Sequence, residues 1–294
     1  MKLSDKDLID ELKRRFDENS QALTELKEMA SELQRVNKKL TESEKLKSNF
    51  ISNINNEIVN PFASIVGLAH SLAHLKEGNW EKVKVMAKLI HAEAFSLDFQ
   101  LKNVFKAAEI EAGEAAPAYS IVNIPEIIDR ISEDFKLEAL AKEIEIITDV
   151  CNEIDFFKTD VDKLSIILNN LISNAIKYSF KKGKIDLKVC LQNSNLEITV
   201  TDYGKGISPN NRDLIFDRFE RFDSGINTPN RGHGLGLSVT KALIDLLDGH
   251  ISFETEINKG TKFKVIIPNP GDWVKIDGFT GNPDELFFNQ PDIF

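Results

Sequence analysis

The sequence predicts an α+β chain: an N-terminal coiled coil, a two-helix hairpin, and then an α/β sandwich with a mixed sheet and helices on one face. Three observations predict it. No glycine or proline occurs before Pro61, and apolar residues there recur at spacings of three and four. A second stretch, from Trp80 to about Ala112, keeps the same helical rhythm. From residue 125 the texture changes to short alternating segments separated by turn signals and interleaved with helical ones.

Leu26, Met29, Leu33, Val36 and Leu40 form the seam of a coiled coil. Ile9, Leu12, Phe16 and Leu23 follow in a shifted phase, so the seam slips near residues 23 to 29, as a stutter or stammer makes it do. Residues 1–45 are therefore a coiled-coil helix. The pattern continues to about residue 77, with a kink expected at Pro61, where a backbone donor is lost. Gly78-Asn79 reads as a turn. The second helix carries Val83, Met86, Ile90, Leu97, Leu101, Val104 and Phe105 on its apolar side. Two such narrow faces within 46–113 close no core alone, so the hairpin predicts a homodimer built as a four-helix dimerisation bundle, two helices per chain.

Residues 114–124 read as a linker with a short extended piece. The sandwich, 125–267, begins with a helix over 125–142, a strand over 145–150 and a helix over 160–179. A hairpin follows, 184–191 with 195–201 across Gln192-Asn-Ser-Asn195. A glycine turn, a short helix over 209–219, a polar loop and a helix over 235–248 come next, and strands 250–256 and 261–267 close the sheet. The tail, 268–294, has four prolines and three glycines among Trp273, Phe279, Phe287, Phe288 and Phe294. It reads as an appended segment.

Composition excludes several classes. With 294 residues, 41% hydrophobic and 29% charged, the chain is of ordinary globular type. A net charge of -10 opposes nucleic-acid binding, which needs a lysine and arginine excess. No apolar run approaches the roughly 20 residues of a membrane span, and Met1-Lys-Leu-Ser-Asp-Lys lacks the apolar core of a signal peptide. Cys151 and Cys190 show neither metal spacing nor a redox motif and read as reduced packing residues. A cytoplasmic protein, or a cytoplasmic piece of a larger one, is the expectation.

Three segments carry chemistry. In Leu168-Asn-Asn-Leu-Ile-Ser-Asn-Ala-Ile-Lys-Tyr178, Asn170, Asn174 and Lys177 share one helix face, opposite Leu168, Leu171, Ile172 and Ile176. Amide oxygens suit a hard divalent cation, and an ammonium suits phosphate. Asp202-Tyr-Gly-Lys-Gly-Ile207 follows an alternating strand, so a carboxylate at the strand end can accept from an exocyclic amine. Gly204 and Gly206 permit backbone angles and close approach that a side chain would block. Gly232-His-Gly-Leu-Gly-Leu237 opens a helix whose free N–H groups favour anions. Between the last two segments, Ile215-Phe-Asp-Arg-Phe-Glu-Arg-Phe222 and the polar loop 223–231 read as a lid with an aromatic anchor, and Arg231 at its end could reach phosphate.

In this order and spacing the set resembles the ATP-binding domain of sensor histidine kinases, with its Bergerat-type ATP fold, over roughly residues 40 to 267. Asn170 to Tyr178 is similar to the N box, Asp202 to Ile207 to the G1 box, Phe216 to Phe222 to the F box, and Gly232 to Leu237 to the G2 box. Lys259-Gly-Thr-Lys-Phe263 is similar to the last glycine box. The resemblance implies ATP and Mg2+ as cofactors. Asp202 would hold the adenine amine, Asn174 the Mg2+ ion, and Tyr178 would lie beside the adenine. Asn170 and Lys177 would lie near the phosphates, with Gly232, Gly234 and Gly236 bordering them. Gly204, Gly206, Phe216, Phe219, Arg231, Leu235 and Thr261 complete the implied nucleotide set.

Ser48 to Phe62 is similar to the family's dimerisation and phosphotransfer segment, the H box, through Phe50, Ser52, Asn53, Glu57 and Pro61. Aligned on Glu57 and Pro61, the slot of the phosphate-accepting histidine holds Asn56, and the usual arginine slot holds Val59. An amide nitrogen delocalised into its carbonyl is no useful nucleophile. His70 lies ~21 Å along the helix from residue 56, and His74, His91 and His233 lack H-box surroundings. The resemblance therefore implies a two-component transmitter with a response-regulator receiver domain as partner, and an upstream sensor protein or a sensor domain outside this chain as input. Self-phosphorylation is expected to be absent. The alternatives are an ATP-binding pseudokinase that pairs with an intact partner, and a receiver phosphatase using Glu57 and Asn60.

Overall fold

The computed structural model describes residues 5–75, 79–152, 154–217 and 234–271. Within the first helix, the side chains of 5–13, 17–18, 39 and 42–57 lie outside the described set. The chain divides into two compact units, 1–53 and 54–294. Helix α1, Asp5–Ala73, continues through Pro61, so the proline does not end it. In the first unit the expected seam is uncovered in the single chain: Phe16, Leu23, Leu26, Met29, Leu33, Val36 and Leu40 are all more than half exposed. In the second unit, α2 spans Trp80–Glu111, close to the expected bounds. Val83, Met86, Ile90, Leu97, Leu101 and Val104 are half-buried along it. Phe105, placed by periodicity on the same apolar side, is 67% exposed.

The sandwich follows. Strand β1 (Ser120–Asn123) leads into α3 (Ile124–Asp134) and α4 (Lys136–Ala141), then β2 (Glu145–Val150), β3 (Phe156–Thr159) and α5 (Val161–Tyr178). Strands β4 (Lys184–Gln192) and β5 (Asn195–Asp202) come next, followed by a 3-10 turn at Pro209–Leu214, α6 (Gly236–Leu246), β6 (His250–Glu256) and β7 (Gly260–Ile267). The main sheet has the order β2-β4-β5-β7-β6. Strand β2 pairs parallel with β4, and the other pairs are antiparallel, which makes the sheet mixed as expected. The β4–β5 hairpin turns through Asn193 and Ser194, both at positive φ.

The core lies between the sheet and one layer of helices. From α5 it takes Leu164, Ile167, Leu168, Leu171, Ile172 and Ile176, all at 1% exposure or less. From the sheet it takes Ile185, Leu187 and Val189 of β4, Leu196, Ile198 and Val200 of β5, and Val265 of β7, equally sealed. The opposite face of the sheet carries Lys184, Lys188, Ser252 and Lys262, all exposed, so a single layer of helices suffices.

The structure corrects four expectations. The helix over 125–142 is two helices, broken at Phe135, whose ring is 1% exposed. No glycine or proline marks the break; burial of one aromatic ring does. Strand β3 was not anticipated and pairs antiparallel with β1. The helix over 209–219 is only the 3-10 turn, and residues 218–219 lie outside the described set. Cys151 and Cys190 are not separate thiols but a disulfide, with Cα atoms 5.1 Å apart. Val150 lies opposite Val189, so the next residue on each strand meets its counterpart across the ladder. Gly78 of the expected turn and the tail beyond residue 271 lie outside the described residues.

The linker is held by a buried ion pair at the start of α5. Asp160 caps the helix by accepting from the Lys163 N–H at 3.0 Å. The Lys163 ammonium donates to Asp160 at 2.6 Å and to the Ala116 carbonyl at 2.7 Å. The Ala118 N–H donates to Asp160 at 2.8 Å. Both side chains are nearly sealed, at 3% and 5% exposure. Removing one member of such a pair strands the other charge. Asp160→Ala should lower the unfolding free energy of the sandwich by about 3–5 kcal/mol in urea titration, whereas truncating Glu133 of the exposed Lys136–Glu133 pair should cost under about 1 kcal/mol.

Candidate functional site

Helix α5 and the end of β5 build the site together. Alternation along β5 buries Leu196, Ile198, Val200 and then Asp202, so the register that makes the core also turns this carboxylate towards the helix layer. Asp202 is 5% exposed. Its Oδ1 accepts from the Gly204 N–H at 3.0 Å, and the Thr261 N–H also bonds the carboxylate. Burial raises its pKa from 3.8 to about 6, the dominant cause, against the opposing pull of those two N–H bonds. The chain then crosses the C-terminal end of α5: Ser179 bridges Gly204, and the Lys205 N–H donates to the Tyr178 carbonyl at 3.2 Å. A Cβ at 204 would overlap the Tyr178 carbonyl, and one at 206, where φ is +67°, would overlap the Glu256 carbonyl. The close approach these glycines serve is therefore that of the protein's own backbone.

A cavity of about 970 Å³ opens over this junction. Asn170, Asn174 and Lys177 line it from α5, with Tyr178 at the helix end. Asp202, Gly206 and Thr261 line it from the sheet side, and Gly234, Leu235 and Gly236 from the start of α6. A Cβ at Gly236 would stand 3.3 Å from Asn170 Oδ1, so the helix start and the amide stripe meet closely. Lys142 and Lys205 also border the space. The Lys142 ammonium caps α5, donating to the carbonyls of Ile176 at 2.9 Å and Lys177 at 2.7 Å, and burial holds its pKa below the ordinary lysine value. The cavity thus offers a buried acceptor, an aromatic ring with the Lys177 ammonium 5.4 Å from its centroid, amides and a glycine-bordered helix start.

Residues 159–271 match the family described as histidine kinase-, DNA gyrase B-, and HSP90-like ATPase. Circadian input-output histidine kinase CikA of Synechococcus elongatus is 29% identical over 225 residues, 76% of this chain and 30% of CikA. Signal transduction histidine-protein kinase ArlS of Staphylococcus aureus is 29% identical over 243 residues, 82% of this chain and 53% of ArlS. Over most of its length this chain is similar to sensor histidine kinases. It spans about half or less of these curated relatives. Among solved structures, Acinetobacter baumannii histidine kinase AdeS has a TM-score of 0.51 at 20% identity, over 74% of this chain and 98% of the AdeS chain. Full-length ShkA in complex with AMPPNP has a TM-score of 0.53 at 24% identity, over 76% of this chain and 45% of ShkA. These two show a shared fold.

Not every residue of the histidine-kinase-like set reaches the cavity. Gly204 lies behind it, under the Tyr178 carbonyl. Phe216 packs edge-on against Phe253 at 6.0 Å and so anchors the start of the F-box segment to β6. Phe219, Arg231, Gly232 and the lid lie outside the described residues, as do the side chains of Asn56 and Glu57. Asn60 is exposed on α1. The sequence pattern missed one wall entirely. Phe95, Phe99, Gln100 and Asn103 of α2 line the cavity. Val85, Leu89, Ala92, Ser96, Phe99 and Asn103 recur at spacings of four and three, a second stripe beside the one that drew attention.

The Asp202 carboxyl gives a pH signature. Its folded pKa lies above the unfolded value, so the stability it contributes is complete below 3.8 and is lost as pH rises through about 6. Asp202→Asn keeps the acceptor for Gly204 and never ionises. It should exceed the parent in stability by about 2–3 kcal/mol above about pH 7, with the gain vanishing towards about pH 4, in urea melts across that range.

Proposed function

We propose that this chain is the transmitter core of a two-component sensor histidine kinase, one that binds ATP with Mg2+ but does not phosphorylate itself. The observation that carries the proposal is the buried Asp202 carboxylate facing a cavity that Asn174, Lys177 and the Gly234–Gly236 helix start also line. A carboxylate buried at an energetic cost in a cleft is the mark of a functional group. Ionised, Asp202 accepts a hydrogen bond from an exocyclic amine, while Tyr178 lies against the purine face. Lys177 and the N–H groups of the α6 start offset phosphate charge, and the Asn174 amide oxygen is a hard ligand for Mg2+. Bound ATP supplies a terminal phosphoryl group, and catalysis in this chemistry rests on positioning and charge neutralisation.

Asn56 stands where the related H box has histidine. Its nitrogen lone pair is committed to the carbonyl, so it offers no nucleophile. The chain acts as a homodimer: the uncovered seam from Phe16 to Leu40 is an apolar stripe that a second copy would cover. A response-regulator receiver is its partner, an upstream sensor protein or domain its input, and the cytoplasm its compartment, where ATP is supplied. Among the described residues no helix is long and apolar enough to cross a membrane.

Calorimetry with Mg2+ and AMPPNP should show saturable binding that Asp202→Ala weakens at least ~100-fold, by removing a charge-assisted hydrogen bond and its purine specificity. With radiolabelled ATP the chain should gain no acid-labile phosphate, and Asn56→His should gain it. Strong labelling of the Asn56 protein would refute the proposal. A second reading is favoured by the exposure of Asn60 on α1, three residues past Glu57: this face orients water against a phosphorylated receiver. Receiver dephosphorylation should then be accelerated by the parent and not by Asn60→Ala; equal decay with both removes this reading.

A further inference from the structure

One wall of the cavity does not belong to the α/β sandwich. It is α2, and the buried side chain of that helix is polar: Asn103, at 4% exposure. Its Nδ2 donates to the Phe99 carbonyl one turn back at 3.0 Å. Its Oδ1 accepts from Asn170 Nδ2 at 2.8 Å, joining two elements 67 residues apart. Asn170 is 2% exposed, and its Oδ1 faces Gly236. The same stretch of α2 is held on the sandwich by two edge-to-face ring contacts, Phe95 and Phe99 on Phe135, at 5.3 and 6.2 Å.

We propose that Asn103 is a latch on the phosphate end of the nucleotide site: docking of α2 ties up Asn170, and entry of a nucleoside triphosphate requires its release. The proposal rests on assigning the cavity to an adenine nucleotide. With one Nδ2 hydrogen held by Asn103 and its Oδ1 against Gly236, the Asn170 amide is 2% exposed and keeps a single N–H for a phosphate oxygen until one neighbour withdraws. Gly236 belongs to the sandwich core through α6, whereas Asn103 arrives on a helix that meets the sandwich through few groups. Asp202, Tyr178 and Lys205 line the same cavity, whereas the hydrogen bond and ring contacts given for α2 run to Asn170 and Phe135. The latch therefore discriminates by phosphate and not by base. Linkage makes it reciprocal: a triphosphate that excludes the α2 contact loosens α2, and any input that shifts α2 changes triphosphate affinity by the same factor.

The test uses the full chain, with AMPPNP plus Mg2+ and, separately, adenosine as probes. Asn103→Ala should tighten AMPPNP binding roughly threefold to tenfold, the scale of one buried hydrogen bond, and leave adenosine affinity unchanged. In the parent protein, AMPPNP should speed amide hydrogen exchange over residues 95–107, a readout independent of whether the variant folds well. Unchanged or weaker AMPPNP binding by Asn103→Ala, an equal shift for adenosine, or slower exchange in α2 overturns the latch while leaving the nucleotide site standing. If neither protein takes up either probe, the nucleotide assignment itself fails and the latch with it.

Discussion

The packing of α5 across β5 is the constraint on which everything else depends. Strand alternation permits one inward set on β5, and that set is Leu196, Ile198, Val200 and Asp202. Slipping the strand by one residue would expose three aliphatic side chains and release the carboxylate to solvent. The acid's position is thus enforced by the core and needs no separate device to hold it. The same holds for α5: burying Leu168, Leu171, Ile172 and Ile176 leaves Asn170, Asn174 and Lys177 on the cavity side. Polar groups converge where they do because apolar groups dictate the register of both elements.

That convergence has a cost, and its distribution is informative. The Asp202 carboxylate has two N–H donors and no cation bonded to it, so burial dominates its pKa. A purely structural carboxylate in this fold is treated differently: Asp160 is equally buried but has Lys163, two N–H donors and a capped helix around it. The sandwich satisfies one buried acid completely and leaves the other short of partners. The second keeps lone pairs that an amine donor could fill. The lysines near the cavity do not remove the strain: the Lys142 ammonium is committed to the end of α5.

Much of this was legible in the sequence, for identifiable reasons. Spacings of four and three put Asn170, Asn174 and Lys177 on one face, and strict alternation put Asp202 inward, because both follow from the periods of helix and strand. What periodicity cannot report is which faces meet. Phe95, Phe99 and Asn103 were overlooked because α2 carries two stripes, and the pattern names neither one's partner. The disulfide was missed because a separation of 39 residues says nothing about sheet order; only the parallel pairing of β2 with β4 brings the two cysteines together. The break at Phe135 escaped because no helix breaker occupies it.

Asn103 brings a buried amide to the place where α2 meets the sandwich. Under the proposed reading, in which Asn56 accepts no phosphate, the buried and directional Asn103–Asn170 contact is what still joins α2 to the proposed nucleotide site. A buried amide pair is a poor source of net stability, since both groups must first leave water. Two apolar side chains would serve packing as well. Its physical advantage is discrimination: it is satisfied in one docked geometry and costly in nearby ones. An element that must report its position to a binding site needs that sharpness, and a helix that merely packs does not.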